Sequence, residues 1–184
     1  MQPFGEDQGV ACCSLVHHDE GETMKTMFLC ALTIGLTSFV TEAGAQLTEK
    51  TALTLDGAKK IVAAAEAKAK TEGSRVVIAV VDDGGSLLLL ERLDDTQVAS
   101  VNVGIDKART AAIYRRPSKV FEDQVKSGRV SALALHGAVA LQGGVPIIVN
   151  GEVIGAIGVS GETPQQDEDI ATAGASIAAS FTKP

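Results

Sequence analysis

The chain has 184 residues, a formal net charge of −7 and 45% hydrophobic residues, which suits a single globular domain. Six of its 23 acidic residues and one of its 16 basic residues precede Gln46, so the remainder is nearly neutral and lacks the basic footprint of a nucleic-acid binder. Cys12, Cys13 and Cys30 also lie in that first stretch, which leaves residues 46–184 without disulfide or thiolate chemistry.

Residues 24–45 read as a secretory signal peptide. Met24-Lys25-Thr26 gives a short basic start, residues 27–40 an apolar run, and Ala43-Gly44-Ala45 a small-x-small cleavage site. The run is shorter than the roughly 20 residues of a membrane span, so no stable membrane insertion is expected. Residues 1–23 carry Glu6, Asp7, Asp19, Glu20 and Glu22, the wrong sign for a signal start. They read as the product of an upstream start or as a disordered acidic extension. The expected organisation is thus 1–23, a signal at 24–45, and one periplasmic or secreted domain over 46–184.

Within that domain, Thr54 is placed to cap a helix over 55–72, with Leu55, Ala58, Ile61, Val62, Ala65 and Ala69 on one face and Gly73 as its stop. Residues 75–82 read as a buried strand, Asp83-Gly84-Gly85 as a turn, and residues 86–93 as a returning strand. The continuous run Leu87-Leu88-Leu89-Leu90 predicts cover on both faces. Residues 97–114 form a second long helix whose predicted inner face is Val98, Val101, Ile105, Ala108, Ala112 and Ile113. Arg115-Arg116-Pro117 ends it, and Ser118 is placed to cap a short helix over 119–126. Residues 130–142 fit either a strand or a strained connector.

Residues 143–161 organise the rest. They read as two strands joined by Asn150-Gly151, a pair suited to a type I′ turn because both central residues need φ > 0. Gly155 and Gly158 in the second strand imply a bulge or the close approach of a helix, a ligand or a neighbouring subunit. Thr163, Pro164 and Gln166 then make a capping box for a last helix. Two hairpins mean antiparallel pairing. The expected class is α+β, a four- to five-stranded antiparallel sheet flanked by helices.

Val81-Asp82-Asp83-Gly84-Gly85, Arg92 with Asp94, Lys107-Ala108-Arg109-Thr110-Ala111, Gly143-Gly144-Val145-Pro146, and residues 155–161 followed by Gln166-Asp167 together resemble the GlcG/HbpS-like family, which also takes in the C-terminal domain of PduO-type proteins. The resemblance runs from about residue 53 to 181. It implies a profilin-like fold, a homo-oligomer that is often an octamer, and, for some members, haem binding.

Haem iron takes His, Cys, Met or Tyr as axial ligand, which leaves His136 or Tyr114 after residue 45 if a strong ligand is used. His136 is the single histidine there, too few for the three or four ligands of a zinc site. Any Ser-His-Asp arrangement would also have to use it. No complete catalytic constellation is present, so the residues alone name no reaction. Arg92, Lys107, Arg109, Arg115 and Arg116 fit either ion pairs with Asp82, Asp94 or Asp95, or a clamp for carboxylates. Those carboxylates would be haem propionates or a small glycolate-type 2-hydroxy acid, as ligand or substrate. Asp82 suits a turn, and alternatively a base or metal ligand. Ser160, beside the last helix N-terminus, is a candidate anion contact.

Overall fold

The computed structural model describes residues 47–182. The segments read as leader and upstream extension, 24–45 and 1–23, lie outside the described residues. Four helices and four strands follow in order: α1 (Leu55–Glu72), β1 (Val77–Asp82), β2 (Leu87–Arg92), α2 (Ser100–Ile113), α3 (Lys119–Lys126), β3 (Gly144–Val149), β4 (Glu152–Ser160) and α4 (Pro164–Ser176). Two 3₁₀ turns, Val130–Ala134 and Ile177–Ser180, complete them. The strands form one antiparallel sheet in the order β2-β1-β4-β3. The expected four to five strands are therefore four.

Local chemistry sets the ends. The Thr54 hydroxyl accepts from Gly57 N–H at 3.1 Å, and Gly73 turns left-handed at φ 67° to close α1. Asn150 and Gly151, at φ 52° and 81°, make the tight β3–β4 turn. The capping box of Thr163 and Gln166 opens α4. Ser118 departs from expectation. Its hydroxyl does not cap α3 but bridges two backbones, donating to Leu141 O at 2.6 Å and accepting from Gly144 N–H at 2.8 Å.

One sheet face carries Val76, Ile78, Val80, Ile147, Ile157 and Val159 against α1 and α4, which is the main core. The other face, where Gly144, Ala156 and Gly158 stand with Val77 and Val81, receives α2. A Cβ on Gly158 would lie 2.1 Å from Gly104 O, and one on Gly144 would lie 2.1 Å from Lys107 O. Of the readings open for the β4 glycines, Gly158 thus serves close helix approach, while the bulge falls beside Gly155, where Ile154 is the extra residue.

Two expectations about burial are corrected here. α2 buries Ser100, Gly104, Lys107, Ala108, Thr110, Ala111 and Ala112. Val98 falls in the turn before α2 and is 75% exposed, and Ile113 is 39% exposed, because a helix lying this close to a sheet must present its small stripe. Likewise β2 is an edge strand, and Leu87 is 47% exposed, so its leucine run is not covered on both faces. Residues 130–142, left open between strand and connector, form one 3₁₀ turn followed by irregular backbone.

Candidate functional site

The candidate residues do not converge on one clamp. Asp82 ends β1, and its Oδ1 accepts from Gly84 N–H at 2.9 Å and Ser86 N–H at 2.8 Å, which is turn chemistry. Asp83 pairs with Lys50 at 2.6 Å. Arg109 lies on the outer side of α2, bonded to Asp106 Oδ1 at 3.1 Å and leaning on Gly85 O at 3.4 Å. Arg92 stands at the other end of β2 and donates to Thr96 O at 2.5 Å, about a strand length from the Gly85 turn. Ser160 is 4% exposed, and its hydroxyl meets that of Ser100 at 3.4 Å beneath α2.

Lys107 is taken up inside the protein. Its ammonium donates to Asp167 Oδ2 at 2.7 Å and to Val159 O at 2.9 Å, tying α2 to β4 and α4. Neither partner stood among those read for it from the sequence. Asp167 also accepts from Glu162 N–H at 3.1 Å. Burial pushes the Asp167 carboxyl above its ordinary range, and the Lys107 charge and these hydrogen bonds pull it back. The carboxylate in the first turn of α4 thus also fastens the residue that precedes the Thr163 cap.

A different group does assemble, where α2 ends. Tyr114 is the helix C-cap, Arg115 follows at φ 53°, and the next amides fold back, Arg115 N–H to Ala112 O at 3.2 Å and Arg116 N–H to Ala111 O at 3.3 Å. This is a Schellman closure. α1 ends in the same way, with Gly73 at the left-handed position and Ser74 N–H reaching Ala69 O at 2.9 Å. Glycine takes that conformation without strain, whereas an arginine is held there against a cost of about 1 kcal/mol.

The closure delivers Arg115 and Arg116 side by side on an exposed corner. Arg116 Nε donates to Tyr114 O at 3.1 Å, and the Tyr114 hydroxyl donates to His136 O at 2.7 Å. The Tyr114 ring stands edge-on to Phe121, centroids 5.1 Å apart. His136 is exposed, with its carbonyl fixed by Tyr114. Beside it a Cβ on Gly137 would meet Ile113 Cδ1 at 3.2 Å, so Ile113 packs against this loop. Leu133 and Leu141, before and after His136, are 63% and 44% exposed.

The loop is anchored on both sides. Val139 N–H reaches Thr110 Oγ1 at 2.9 Å, Gln142 N–H reaches Glu122 Oε2 at 2.6 Å, and the Gln142 amide bonds Gln165 Oε1 at 3.1 Å and Glu168. The corner therefore sets an imidazole, two guanidinium groups and exposed aliphatic side chains on a fixed backbone. Tyr114, the other oxygen or nitrogen donor considered for iron, has its phenol engaged. Sequence reasoning singled out His136 and Arg116 separately; the link through Tyr114 spans 22 residues and has no local signature.

A family model described as "Haem degrading protein HbpS-like" matches residues 53–176. The Escherichia coli K12 protein GlcG is 42% identical over 111 residues, 60% of this chain and 83% of its own length. The crystal structure of a double-mutant HbpS from Streptomyces reticuli superposes with a TM-score of 0.67 at 32% identity, covering 75% of this chain and 94% of that one. A PduOC–haem complex superposes with a TM-score of 0.63 at 26% identity, covering 68% and 94%.

Proposed function

Because the chain belongs to the HbpS-like family, we propose that it binds haem at the corner formed by Arg115, Arg116, His136 and the exposed aliphatic residues around them. The observation that carries this reading is the bond from the Tyr114 hydroxyl to His136 O, which ties the His136 loop to the helix end that bears Arg115 and Arg116. The donor set fits the group. An imidazole is a common axial ligand, guanidinium groups pair with propionate carboxylates, and Ile113, Leu133 and Leu141 offer apolar contact to the macrocycle. Bound haem would supply an iron centre, with His136 as the residue to hold it. The chain's own part is to hold the His136 backbone, present two cations and shield one macrocycle face.

Arg115 gives the reading a second support, since an arginine occupies a left-handed cap position that suits glycine. Residues held in sparsely populated conformations cluster at functional sites. The test is a hemin titration of the 184-residue chain followed by absorbance. Wild type is expected to give a saturable Soret band. Arg115→Gly is expected to unfold at higher denaturant, by about 0.5–1 kcal/mol, while binding hemin more weakly. An unsaturable, linear response in wild type would overturn the proposal. Unchanged affinity in Arg115→Gly would remove Arg115 from the site.

We propose further that the protein acts outside the cytoplasm, as a scavenging, buffering or sensing accessory. The signal-like residues 24–45 support this, and N-terminal sequencing of the exported protein would find Gln46 first. Among the described residues no helix is long and apolar enough to cross a membrane. Self-association is also part of the proposal. The β2 edge and the turn before α2 expose Leu87 and Val98, apolar side chains open to a second copy. Light scattering of the uncleaved 184-residue chain is expected to give a multiple of its 18.9 kDa, reduced by Val98→Glu. A monomeric wild type would contradict this. Of the five residues considered for a small-carboxylate clamp, Arg92, Lys107 and Arg109 sit at separate places, which leaves Arg115 and Arg116.

A further inference from the structure

Little apolar burial holds α3 to the rest of the fold. Of its eight residues only Phe121 is buried, and the helix packs on the 3₁₀ turn Val130–Ala134, which itself buries only Ala132. Val130 and Leu133 of that turn are 67% and 63% exposed. Units with so few buried apolar side chains open locally, at a free energy below that of global unfolding.

Two consecutive residues of this lightly held helix grip the His136 loop at both ends. Phe121 meets the Tyr114 ring edge-on at 5.1 Å, and the Tyr114 hydroxyl donates to His136 O at 2.7 Å. Glu122 Oε2 accepts from Gln142 N–H at 2.6 Å, where the loop ends. The Glu122 side chain is 14% exposed, and its other oxygen takes the Lys126 ammonium. Burial works against its charge, but the Lys126 ammonium and the Gln142 N–H outweigh it and hold the carboxyl below its ordinary range. Glu122 is therefore ionised at neutral pH, and a charged acceptor makes the stronger hydrogen bond. Asp123 makes the other ion pair spaced four residues apart on α3, with Lys119 at 3.3 Å. Its side chain is 53% exposed and bonds no loop amide. The acid turned inward is the one that meets the loop.

We propose that α3 is a clamp that sets haem affinity. Docked, it fixes both ends of the His136 loop through Phe121 and Glu122; undocked, it frees the imidazole from the Arg115–Arg116 corner. This deepens the haem reading and rests on it, with Glu122 as a positioning residue that acts through Gln142. Coupling of this kind is reciprocal, so bound haem also holds α3 down.

The test is amide hydrogen exchange on the 184-residue chain, with and without hemin, beside hemin titration of Glu122→Ala and Glu122→Gln. In the free wild type the α3 amides are expected to exchange faster than those of α1, and hemin is expected to slow them. Glu122→Ala is expected to speed exchange at Gln142 and Val139, to weaken hemin binding roughly tenfold, and to leave the exchange of α1 as in wild type. Glu122→Gln, whose amide oxygen still accepts from Gln142 N–H, is expected to restore most of the affinity. The clamp is overturned, and the haem corner left standing, if wild type binds hemin and Glu122→Ala binds it equally well. Free-protein α3 amides as slow as those of α1, or unchanged exchange at Gln142 and Val139 in Glu122→Ala, overturn the clamp whether or not hemin binds. A wild type without a saturable Soret band overturns the haem reading, and the clamp's effect on affinity falls with it.

Discussion

Replacing Lys107 by methionine is expected to destabilise the fold by about 3–5 kcal/mol at neutral pH, because it strands the Asp167 carboxylate in the interior. The two side chains are 6% and 4% exposed, and their contact is 2.7 Å. Methionine fills the space of the lysine stem, so the loss measures the broken pair and not a cavity. The pH dependence follows from the direction of the Asp167 shift. Its carboxyl is raised in the folded state, mainly by burial. Its contribution to stability is therefore fully present below the ordinary carboxylate pKa and is lost as pH rises through the raised value. Without Lys107 the upward shift grows, so the gap between variant and wild type widens with pH and narrows towards acid. Urea unfolding at several pH values reads this directly. The double variant Lys107→Met with Asp167→Leu is expected to recover most of the loss, since an apolar pair avoids desolvating two charges. A single variant as stable as wild type at neutral pH would show that the pair does not bind α2 to α4.

The second large effect falls on the contact between α2 and the sheet. Gly158→Ala is expected to cost about 3 kcal/mol or more, at the upper end of overpacking losses. Its Cβ would stand 2.1 Å from Gly104 O and 2.5 Å from Ala108 N. These are backbone atoms, so the whole helix has to lift. Gly104→Ala, on the facing side, makes a sharp comparison. Its Cβ meets Val77 Cγ1 at 3.3 Å and Gly158 O at 3.6 Å, and a helical alanine gains about 1 kcal/mol over glycine. Gly104→Ala should lie within about 1 kcal/mol of wild type. Equal losses at both positions in thermal or denaturant unfolding would contradict the close-approach account.

What was legible in the sequence was local. Thr54 and Gly73 bound α1, Asn150-Gly151 made the turn, and Thr163 to Gln166 made the capping box, because each signal sits within a few residues of its effect. The face of α2 was not legible. A periodicity reading favours large apolar residues, yet the sheet opposite carries Gly144 and Gly158, and only a small stripe can approach them. Nothing in residues 97–114 announces those two glycines. β2 misled for a related reason, since a run of four leucines reads the same at the centre of a sheet and at its edge. The Lys107–Asp167 pair spans 60 residues. Its single local trace is an acid just after the capping box, which had a sufficient explanation in the helix dipole.

The candidate site divides in the same manner. His136 stood out because no other histidine follows residue 45, and Arg116 because it closes a helix. The bond that joins the His136 backbone to Tyr114, 22 residues before it, is a tertiary fact. So is the left-handed turn at Arg115, for arginine carries no signal for that conformation.

Hemin titration of His136→Ala against Tyr114→Phe tests the haem assignment most directly. The account predicts that His136→Ala loses the saturable Soret band of wild type. Tyr114→Phe keeps the imidazole but loses the hydroxyl that fixes its backbone, and is expected to retain the band with affinity lowered by about 10–100-fold, as for other groups that orient a ligand. A wild-type band that survives unchanged in His136→Ala would contradict the account and move haem, if bound, away from this corner.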